Sequence, residues 1–124
     1  MRVCIIYTGG TIGCIGNPLA PMSKSDFQQA FATLISPLIK RKHTDIEIAF
    51  SHFANVLDST NIQPSDWCVI ASDIINNYSD YDAFIVLHGT DTMAWTASAL
   101  SFLLTGLNQL GQVVAALDKP VIVT

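Results

Sequence analysis

The sequence predicts an α/β protein built as a three-layer sandwich, with helices on both faces of a mainly parallel, Rossmann-like sheet. Short apolar runs alternate with longer stretches whose hydrophobic residues recur at helical spacing. The run Ala83–Leu87 is apolar throughout, which is typical of a parallel strand buried on both faces. The expected order is strand, helix, strand, helix, strand, helix, strand, joined by right-handed crossovers.

The first strand is predicted at residues 3–7, where an apolar run ends at Gly9-Gly10 and a long loop follows. A helix should begin near Ser23, because Ser-x-x-Asp is a capping pattern, and Pro37 should end or bend it. The apolar side chains whose spacing predicts one buried face of this helix are Phe27, Phe31, Leu34 and Leu38.

Alternating apolar residues at 46–50 predict an outer strand, and Pro64-Ser65-Asp66 opens a second helix. A third helix is predicted at 92–104 and a further buried strand at 120–124, while 113–117 fits either a strand or a short helix. The side chains predicted to share one side of the second helix are Trp67, Ile70, Ile74 and Tyr78.

Composition narrows the function classes. The 124 residues fit one domain, and 50% hydrophobic with only 13% charged residues argues against disorder. A net charge of -4 argues against nucleic-acid binding, which requires Lys and Arg to neutralise phosphates. No apolar stretch approaches the ~20 residues that span a bilayer, and the N-terminus lacks a signal-peptide pattern. We therefore predict a cytoplasmic protein with neither nucleic-acid nor membrane partners.

The cysteines do not suggest a metal or disulfide framework. Cys4, Cys14 and Cys68 are odd in number and have no Cys-x-x-Cys spacing. We expect them to be buried thiols and predict no metal site and no cofactor.

Two loops rich in Gly and Thr follow predicted strands, at residues 7–13 and 88–92. Open α/β sheets bind ligands at the carboxyl ends of their strands. Glycine allows close backbone approach, while Thr11 and Thr90 offer hydroxyls for hydrogen bonding or nucleophilic attack. Asp91 adds a carboxylate for an ammonium group or for proton transfer. Neither loop has the spacing of a nucleotide-binding fingerprint.

These two segments, Tyr7-Thr8-Gly9-Gly10-Thr11-Ile12-Gly13 and Leu87-His88-Gly89-Thr90-Asp91-Thr92-Met93, resemble the signature segments of bacterial-type L-asparaginases. Leu57-Asp58-Ser59-Thr60 resembles the substrate-binding loop of that family, and the surrounding sequence resembles its cytoplasmic type I branch. The resemblance implies an amidohydrolase that converts L-asparagine to L-aspartate and ammonia through an acyl-enzyme, without a cofactor. It also implies that 1–124 is the catalytic N-terminal α/β domain of an asparaginase-like fold.

The resemblance also assigns roles to residues. It implies that Thr11 is the nucleophile and that Thr90 and Asp91 are catalytic residues for activation and proton relay. It places Asp58 and Ser59, together with Thr90 and Asp91, among the residues that bind L-asparagine and L-aspartate.

Some family features are missing. Leu19 stands where the family has a Tyr, and the family's catalytic Lys lies beyond Thr124. Lys119 precedes its strand and should lie at the opposite end of the sheet. We therefore expect 1–124 to be an incomplete domain that lacks the C-terminal domain and is inactive alone. The full-length form is expected to be a homo-oligomer, a dimer or tetramer.

The sequence is compatible with other roles for some of these residues and with other functions. Asp91 could cap the helix that starts at Thr92 as well as bind substrate, and His88 is expected to orient its loop. Trp67 and Trp95 are expected to pack against helices. The function could instead be that of a non-catalytic aspartate- or asparagine-binding or interaction module. A third possibility is an asparaginase-like glutaminase or tRNA-dependent amidotransferase subunit.

Overall fold

The computed structural model describes residues 1–51, 56–107 and 113–124. Short 3-10 turns occupy Thr11–Gly13 and Ser59–Asn61. The strands and helices, in chain order, are β1 (Arg2–Tyr7), β2 (Cys14–Ile15), β3 (Ala20–Pro21), α1 (Lys24–Leu34), α2 (Ser36–Lys42), β4 (Glu47–Phe50), α3 (Pro64–Asn76), β5 (Ala83–Leu87), α4 (Met93–Leu103), β6 (Thr105–Leu107), β7 (Val113–Ala116) and β8 (Val121–Val123).

A parallel sheet of four strands, in the order β4-β1-β5-β8, forms the middle layer. The two central strands are in register along their length, from Val3 opposite Ala83 to Tyr7 opposite Leu87. Because β1 and β5 are parallel neighbours, their carboxyl ends lie side by side and the loops that follow them meet. The predicted α/β fold with a mainly parallel sheet is confirmed.

One face of the sheet is covered by α3 and α4. Phe84 of β5 is fully buried there, and Tyr78 stacks on its ring at a centroid distance of 6.3 Å. A fully buried side chain of this size contributes about 1.5–3 kcal/mol to stability. The buried residues of this cluster are Cys4, Ile6, Ile70, Ala71, Ile74, Phe84, Val86 and Leu100.

The other face is covered by α1. Phe27 stacks on Tyr7 at the end of β1, with ring centroids 4.0 Å apart, and Phe31 meets Phe50 of β4 edge-on at 5.3 Å. Ser23 caps α1 by accepting a hydrogen bond from the amide of Asp26. The predicted helix start is therefore confirmed, and the helices on both faces give the predicted three layers.

The predicted buried face of the first helix is correct for Phe27 and Phe31 and wrong for Leu34 and Leu38, which are 65% and 55% exposed. The prediction placed all four side chains on one helix that Pro37 would end or bend. The chain instead breaks at residue 35, and α2 begins at Ser36 with Pro37 in its first turn. Both leucines lie beyond the aromatic contacts that join α1 to the sheet.

Three other burial predictions are also wrong. The strand predicted as buried at 120–124 is the edge strand β8, so Ile122 is 52% exposed. Trp95, predicted to pack, is 70% exposed on α4. Of the cysteines, only Cys4 is buried, because Cys68 lies on the outer side of α3 and Cys14 is half-buried.

Two antiparallel pairs add to the predicted elements. β2 and β3 form a small hairpin within the region predicted as a long loop. β7 pairs with β6, which decides the open alternative at 113–117 in favour of a strand over 113–116. Within the described ranges, no helix is long and apolar enough to cross a membrane.

Candidate active site

Three segments converge where β1 and β5 end. Both the amide and the hydroxyl of Thr8 donate to the carbonyl of Leu87, each at 3.0 Å, which joins the two strand ends. The amide of Leu57 donates to the Thr8 carbonyl at 2.7 Å and brings the 57–61 segment alongside. The first strand end therefore contacts both of the other predicted site segments.

A narrow cleft lies between these segments. Every residue predicted for the site lines it, which is a juxtaposition that the sequence alone could not show. The cleft has a volume of about 40 Å³. Its lining residues are Gly10, Thr11, Cys14, Pro21, Asp58, Ser59, Gly89, Thr90 and Asp91.

Asp58 caps the turn Ser59–Asn61. Its Oδ1 accepts hydrogen bonds from the amide and the hydroxyl of Thr60, at 2.9 and 2.8 Å. These donors favour the ionised carboxylate and hold the pKa of Asp58 below its ordinary value. The exposed side chain thus presents a stable negative charge at the mouth of the cleft.

Ser59 is nearly fully buried in the cleft floor, and its backbone is held by a residue outside the predicted set. The Thr92 hydroxyl donates to the Ser59 carbonyl at 2.6 Å. This bond joins the start of α4 to the 59–61 turn, so Thr92 supports the site without lining the cleft. Thr92 belongs to the His-Gly-Thr-Asp-Thr motif, and this was the sequence signal for its supporting role.

Thr90 and Asp91 lie together on the exposed side of the cleft, with Thr90 Oγ1 3.5 Å from Asp91 Oδ1. The predicted capping role of Asp91 is wrong. Because α4 starts one residue later than predicted, the residue at its cap position is Thr92. Thr92 makes no side-chain capping bond. The Asp91 carboxylate is therefore not engaged by the helix.

Thr11 opens the 3-10 turn after β1 and is exposed. The turn is supported from below by buried Tyr7, whose hydroxyl lies 3.3 Å from the Gly13 carbonyl and 3.4 Å from the Met22 carbonyl. These two carbonyls flank the β2-β3 hairpin. Leu19, at the tip of that hairpin, is 66% exposed.

Lysine is absent from the lining of this cleft, as far as the described residues extend. Lys119 Nζ lies 4.5 Å from the centre of the Tyr78 ring and donates to the Tyr78 carbonyl. It precedes β8, so the structure places it at the opposite end of the sheet. Within 1–51, 56–107 and 113–124, no group of three His, Cys, Asp or Glu residues could hold a metal ion.

Sequence reasoning missed Thr96, which lies behind the site. His88 is fully buried and, as expected, contacts its own loop through Gly89. It also contacts Thr96 of α4, which in turn contacts Trp67 of α3. A hydroxyl among the apolar positions of α4 was the only signal for Thr96.

Comparison with known proteins identifies relatives of this chain. The family model described as "Asparaginase, N-terminal" matches residues 2–124. L-asparaginase 1 of Escherichia coli strain K12 is 40% identical over 122 residues, covering 98% of this chain and 32% of the relative. The crystal structure of L-asparaginase I from Vibrio cholerae matches with a TM-score of 0.70 and 36% identity, covering 98% of this chain and 33% of the other.

A third relative is the crystal structure of a probable cytoplasmic L-asparaginase from Campylobacter jejuni, with a TM-score of 0.53 and 30% identity. It covers 98% of this chain and 31% of that one. The chain thus spans about a third of the length of these relatives. Family model, sequence identity and fold agree, and the chain belongs to the asparaginase family, in which it matches the N-terminal domain.

Proposed function

We propose that the protein is an amidohydrolase that converts L-asparagine to L-aspartate and ammonia. The observation that carries this proposal is the convergence of Thr11, the Asp58-Ser59 pair and the Thr90-Asp91 pair on one cleft in an asparaginase-family domain. That cleft presents hydroxyls, carboxylates and backbone amides, which are the groups that an acyl transfer on a zwitterionic substrate requires.

Thr11 is the proposed nucleophile. Its hydroxyl oxygen attacks the side-chain carbonyl carbon of asparagine, the carbon–nitrogen bond breaks, and the departing nitrogen takes up the hydroxyl proton to leave as ammonia. Water then hydrolyses the ester, releasing aspartate and restoring the hydroxyl. A Thr hydroxyl needs an adjacent base for such an attack. Thr90 and Asp91 are the groups proposed to carry the proton, and Thr90 Oγ1 lies 3.5 Å from Asp91 Oδ1.

Backbone amides are proposed to stabilise the oxyanion that forms during attack. The amides of Thr11 and Thr90 both lie in cleft-lining loops. Among the described residues, no acceptor receives a hydrogen bond from either of them. Unengaged N–H groups that are already held in place stabilise developing negative charge without reorganisation.

The 58–59 segment is proposed to bind the amino-acid end of the substrate. The exposed carboxylate of Asp58, kept ionised by Thr60, is suited to the α-ammonium group. The Ser59 hydroxyl is suited to the α-carboxylate, and Asp91 provides a second anion for the ammonium. Pairing both charges of the substrate selects a free amino acid over a simple amide.

An ammonia-release assay on the full-length gene product tests this function. We expect Thr11→Ala to lower kcat by roughly 10³-fold or more, whereas Thr11→Ser retains part of the rate. Thr33→Ala is the matched control, because the Thr33 hydroxyl only bonds the Gln29 carbonyl on the exposed side of α1. A Thr11→Ala variant with the wild-type rate overturns the proposed nucleophile. Glutamine and misacylated tRNA assayed in parallel distinguish an asparaginase from a related amidase.

A second candidate is a module that binds aspartate or asparagine without turnover. The observation that favours it is that no Lys lines the described part of the cleft. Calorimetry with both amino acids, beside the ammonia assay on residues 1–124, separates the two functions. Binding without ammonia release is the expected behaviour of 1–124 alone, and the same result with the full-length gene product favours the module.

A homo-oligomer in the cytoplasm is the proposed assembly and location. The exposed apolar side chains of Ile122 on the edge strand β8 and of Phe102 on α4 support association, since such side chains mark an interface where they form a contiguous patch. The family resemblance, including the Campylobacter jejuni relative, supports the location. Sedimentation of the full-length gene product tests the oligomer, and a monomer at micromolar concentration contradicts it.

A further inference from the structure

A chain of hydrogen bonds runs from α3 through α4 to the end of β5, behind the cleft. Trp67 Nε1 lies 2.8 Å from Thr96 Oγ1, and Thr96 Oγ1 lies 2.7 Å from His88 Nε2. His88 Nδ1 lies 2.9 Å from the Gly89 carbonyl oxygen. His88 and Thr96 are completely buried, so water does not compete for the bond between them.

The chemistry of the end groups assigns each proton in this chain. The Gly89 carbonyl only accepts, so His88 Nδ1 carries the hydrogen in that bond. The indole N–H of Trp67 only donates, so Thr96 Oγ1 accepts from it. The Thr96 hydroxyl proton is then available to His88 Nε2, which accepts in the neutral ring. The described residues include no other acceptor for that proton.

The bond to His88 also orients the peptide that follows Gly89. This peptide is trans, and in a planar trans peptide the carbonyl and the N–H point in opposite directions. Holding the Gly89 carbonyl toward the buried ring therefore turns the Thr90 amide away from the ring. Thr90 lines the cleft, and its amide bonds to no group in the described part of the chain.

We propose that Trp67, Thr96 and His88 form a positioning relay that fixes His88 as the Nδ1–H tautomer and thereby holds the Gly89–Thr90 peptide in its working orientation. None of the three residues lines the cleft, so they act on the site through Gly89 and are not catalytic residues. The effect of the relay on the reaction rate rests on the function proposed above. The tautomer of His88 and the orientation of the Gly89–Thr90 peptide do not depend on that function.

Nitrogen NMR of the histidine side chains tests the relay without any activity measurement. In the wild-type protein we expect His88 Nδ1 to be protonated and Nε2 to be unprotonated at neutral pH. The opposite tautomer, or a ring protonated at both nitrogens, overturns the proposal.

Variants of Thr96 test whether the relay holds the Thr90 peptide. Thr96→Val keeps the shape but removes the hydroxyl. We expect it to shift the His88 Nε2 resonance and to change the residual dipolar coupling of the Thr90 N–H bond, which reports the orientation of the Gly89–Thr90 peptide. Thr96→Ser should restore both properties. Thr33→Val, which removes an exposed α1 hydroxyl that bonds only the Gln29 carbonyl, controls for helix effects.

Kinetics of the full-length gene product connect the relay with catalysis. If the proposed function holds, Thr96→Val should lower kcat roughly tenfold with little change in KM, since small misplacements of reacting groups reduce rates strongly. Thr96→Ser should recover the rate. If the wild-type protein releases no ammonia, the proposed function fails while the NMR results still decide the relay.

Two results overturn the relay whatever the activity. One is a Thr90 N–H dipolar coupling that is the same in Thr96→Val and wild-type protein, and the other is a Thr96→Ser variant that behaves like Thr96→Val. If Thr96→Val does not fold, Trp67→Phe provides the second variant, because it removes the indole donor and keeps an aromatic ring. The His88 Nε2 resonance and the Thr90 N–H dipolar coupling should then change in the same direction as in Thr96→Val, but less.

Discussion

Gly10 and Gly89 are in backbone contact where the two signature loops meet. A Cβ atom on Gly10 would lie 2.8 Å from the amide nitrogen of Gly89, and one on Gly89 would lie 2.9 Å from the Cα of Gly10. Real Cβ atoms do not approach backbone this closely. The absence of side chains at both positions therefore allows the loops carrying Thr11 and Thr90 to line one cleft.

Gly10→Ala should disrupt this contact. Gly10 has a φ of +81° with a ψ of 164°, a region that essentially only glycine adopts, and Gly16 has a φ of +88°, so alanine at either position incurs backbone strain of about 1–3 kcal/mol. Gly10→Ala adds the overlap with Gly89, and we expect it to reduce the free energy of unfolding by roughly 1–3 kcal/mol more than Gly16→Ala.

Gly16→Ala is the matched control, because its Cβ would meet only the Pro18 carbonyl oxygen at 3.4 Å. Urea denaturation of the two variants gives the comparison. If both variants lost the same free energy of unfolding, the overlap with Gly89 would have no energetic cost. That result would contradict a close backbone contact between Gly10 and Gly89.

Thr60→Val should raise the pKa of Asp58. The Thr60 amide and hydroxyl both stabilise the Asp58 carboxylate, and the substitution removes the hydroxyl. A carboxylate with a lowered folded-state pKa contributes stability above its ordinary pKa and loses it as the pH falls through the folded value. The variant should therefore lose this contribution at a higher pH than the wild type.

Carbon NMR of the Asp58 carboxyl group during an acid titration measures the effect. Thr60→Ser keeps a hydroxyl and serves as the control, with a titration close to wild type. An unchanged titration in Thr60→Val would mean that the backbone amide alone lowers the pKa.

Tyr7→Phe should loosen the base of the β2-β3 hairpin. The substitution removes the hydroxyl that contacts the Gly13 and Met22 carbonyls but keeps the ring that stacks on Phe27. We expect a loss of about 1 kcal/mol in the free energy of unfolding.

The pH dependence provides a second test of Tyr7. Burial raises the pKa of Tyr7 above its ordinary value, so its contribution to stability is present below the ordinary pKa and lost as the pH rises through the raised one. Tyr7→Phe should lack this alkaline loss. Tyr81→Phe is the control, since no described residue bonds the Tyr81 hydroxyl. A Tyr7→Phe variant as stable as Tyr81→Phe would contradict the anchoring role.

The cysteines should differ in reactivity. Burial, followed by the nearby Asp73, raises the pKa of the Cys4 thiol to about 11, whereas Cys68 is exposed. Because the thiolate is the reactive form, iodoacetamide at mildly alkaline pH should modify Cys68 first and Cys4 only after unfolding. Mass spectrometry of the digested protein identifies the sites. Cys68→Ser should abolish the fast phase, and rapid labelling of Cys4 in the native protein would contradict its burial.

Local patterns predicted most of the secondary structure. The apolar run Ala83–Leu87 and the Ser23 cap are short-range signals, and both elements formed as predicted. Burial was predicted less well, because periodicity shows which residues share a face but not whether another element covers it. Leu34 and Ile122 are apolar and exposed for that reason.

The sequence by itself determined the α/β class, the order of the main elements and the residues proposed for the site, since these depend on local periodicity and on contiguous motifs. Only the tertiary structure decided that Thr11, Asp58 and Thr90 line one cleft, and that Thr96 connects Trp67 with His88. Contacts of this kind join residues far apart in the chain. They depend on the register of parallel strands and on which helix covers which face, and neither is encoded in a local pattern.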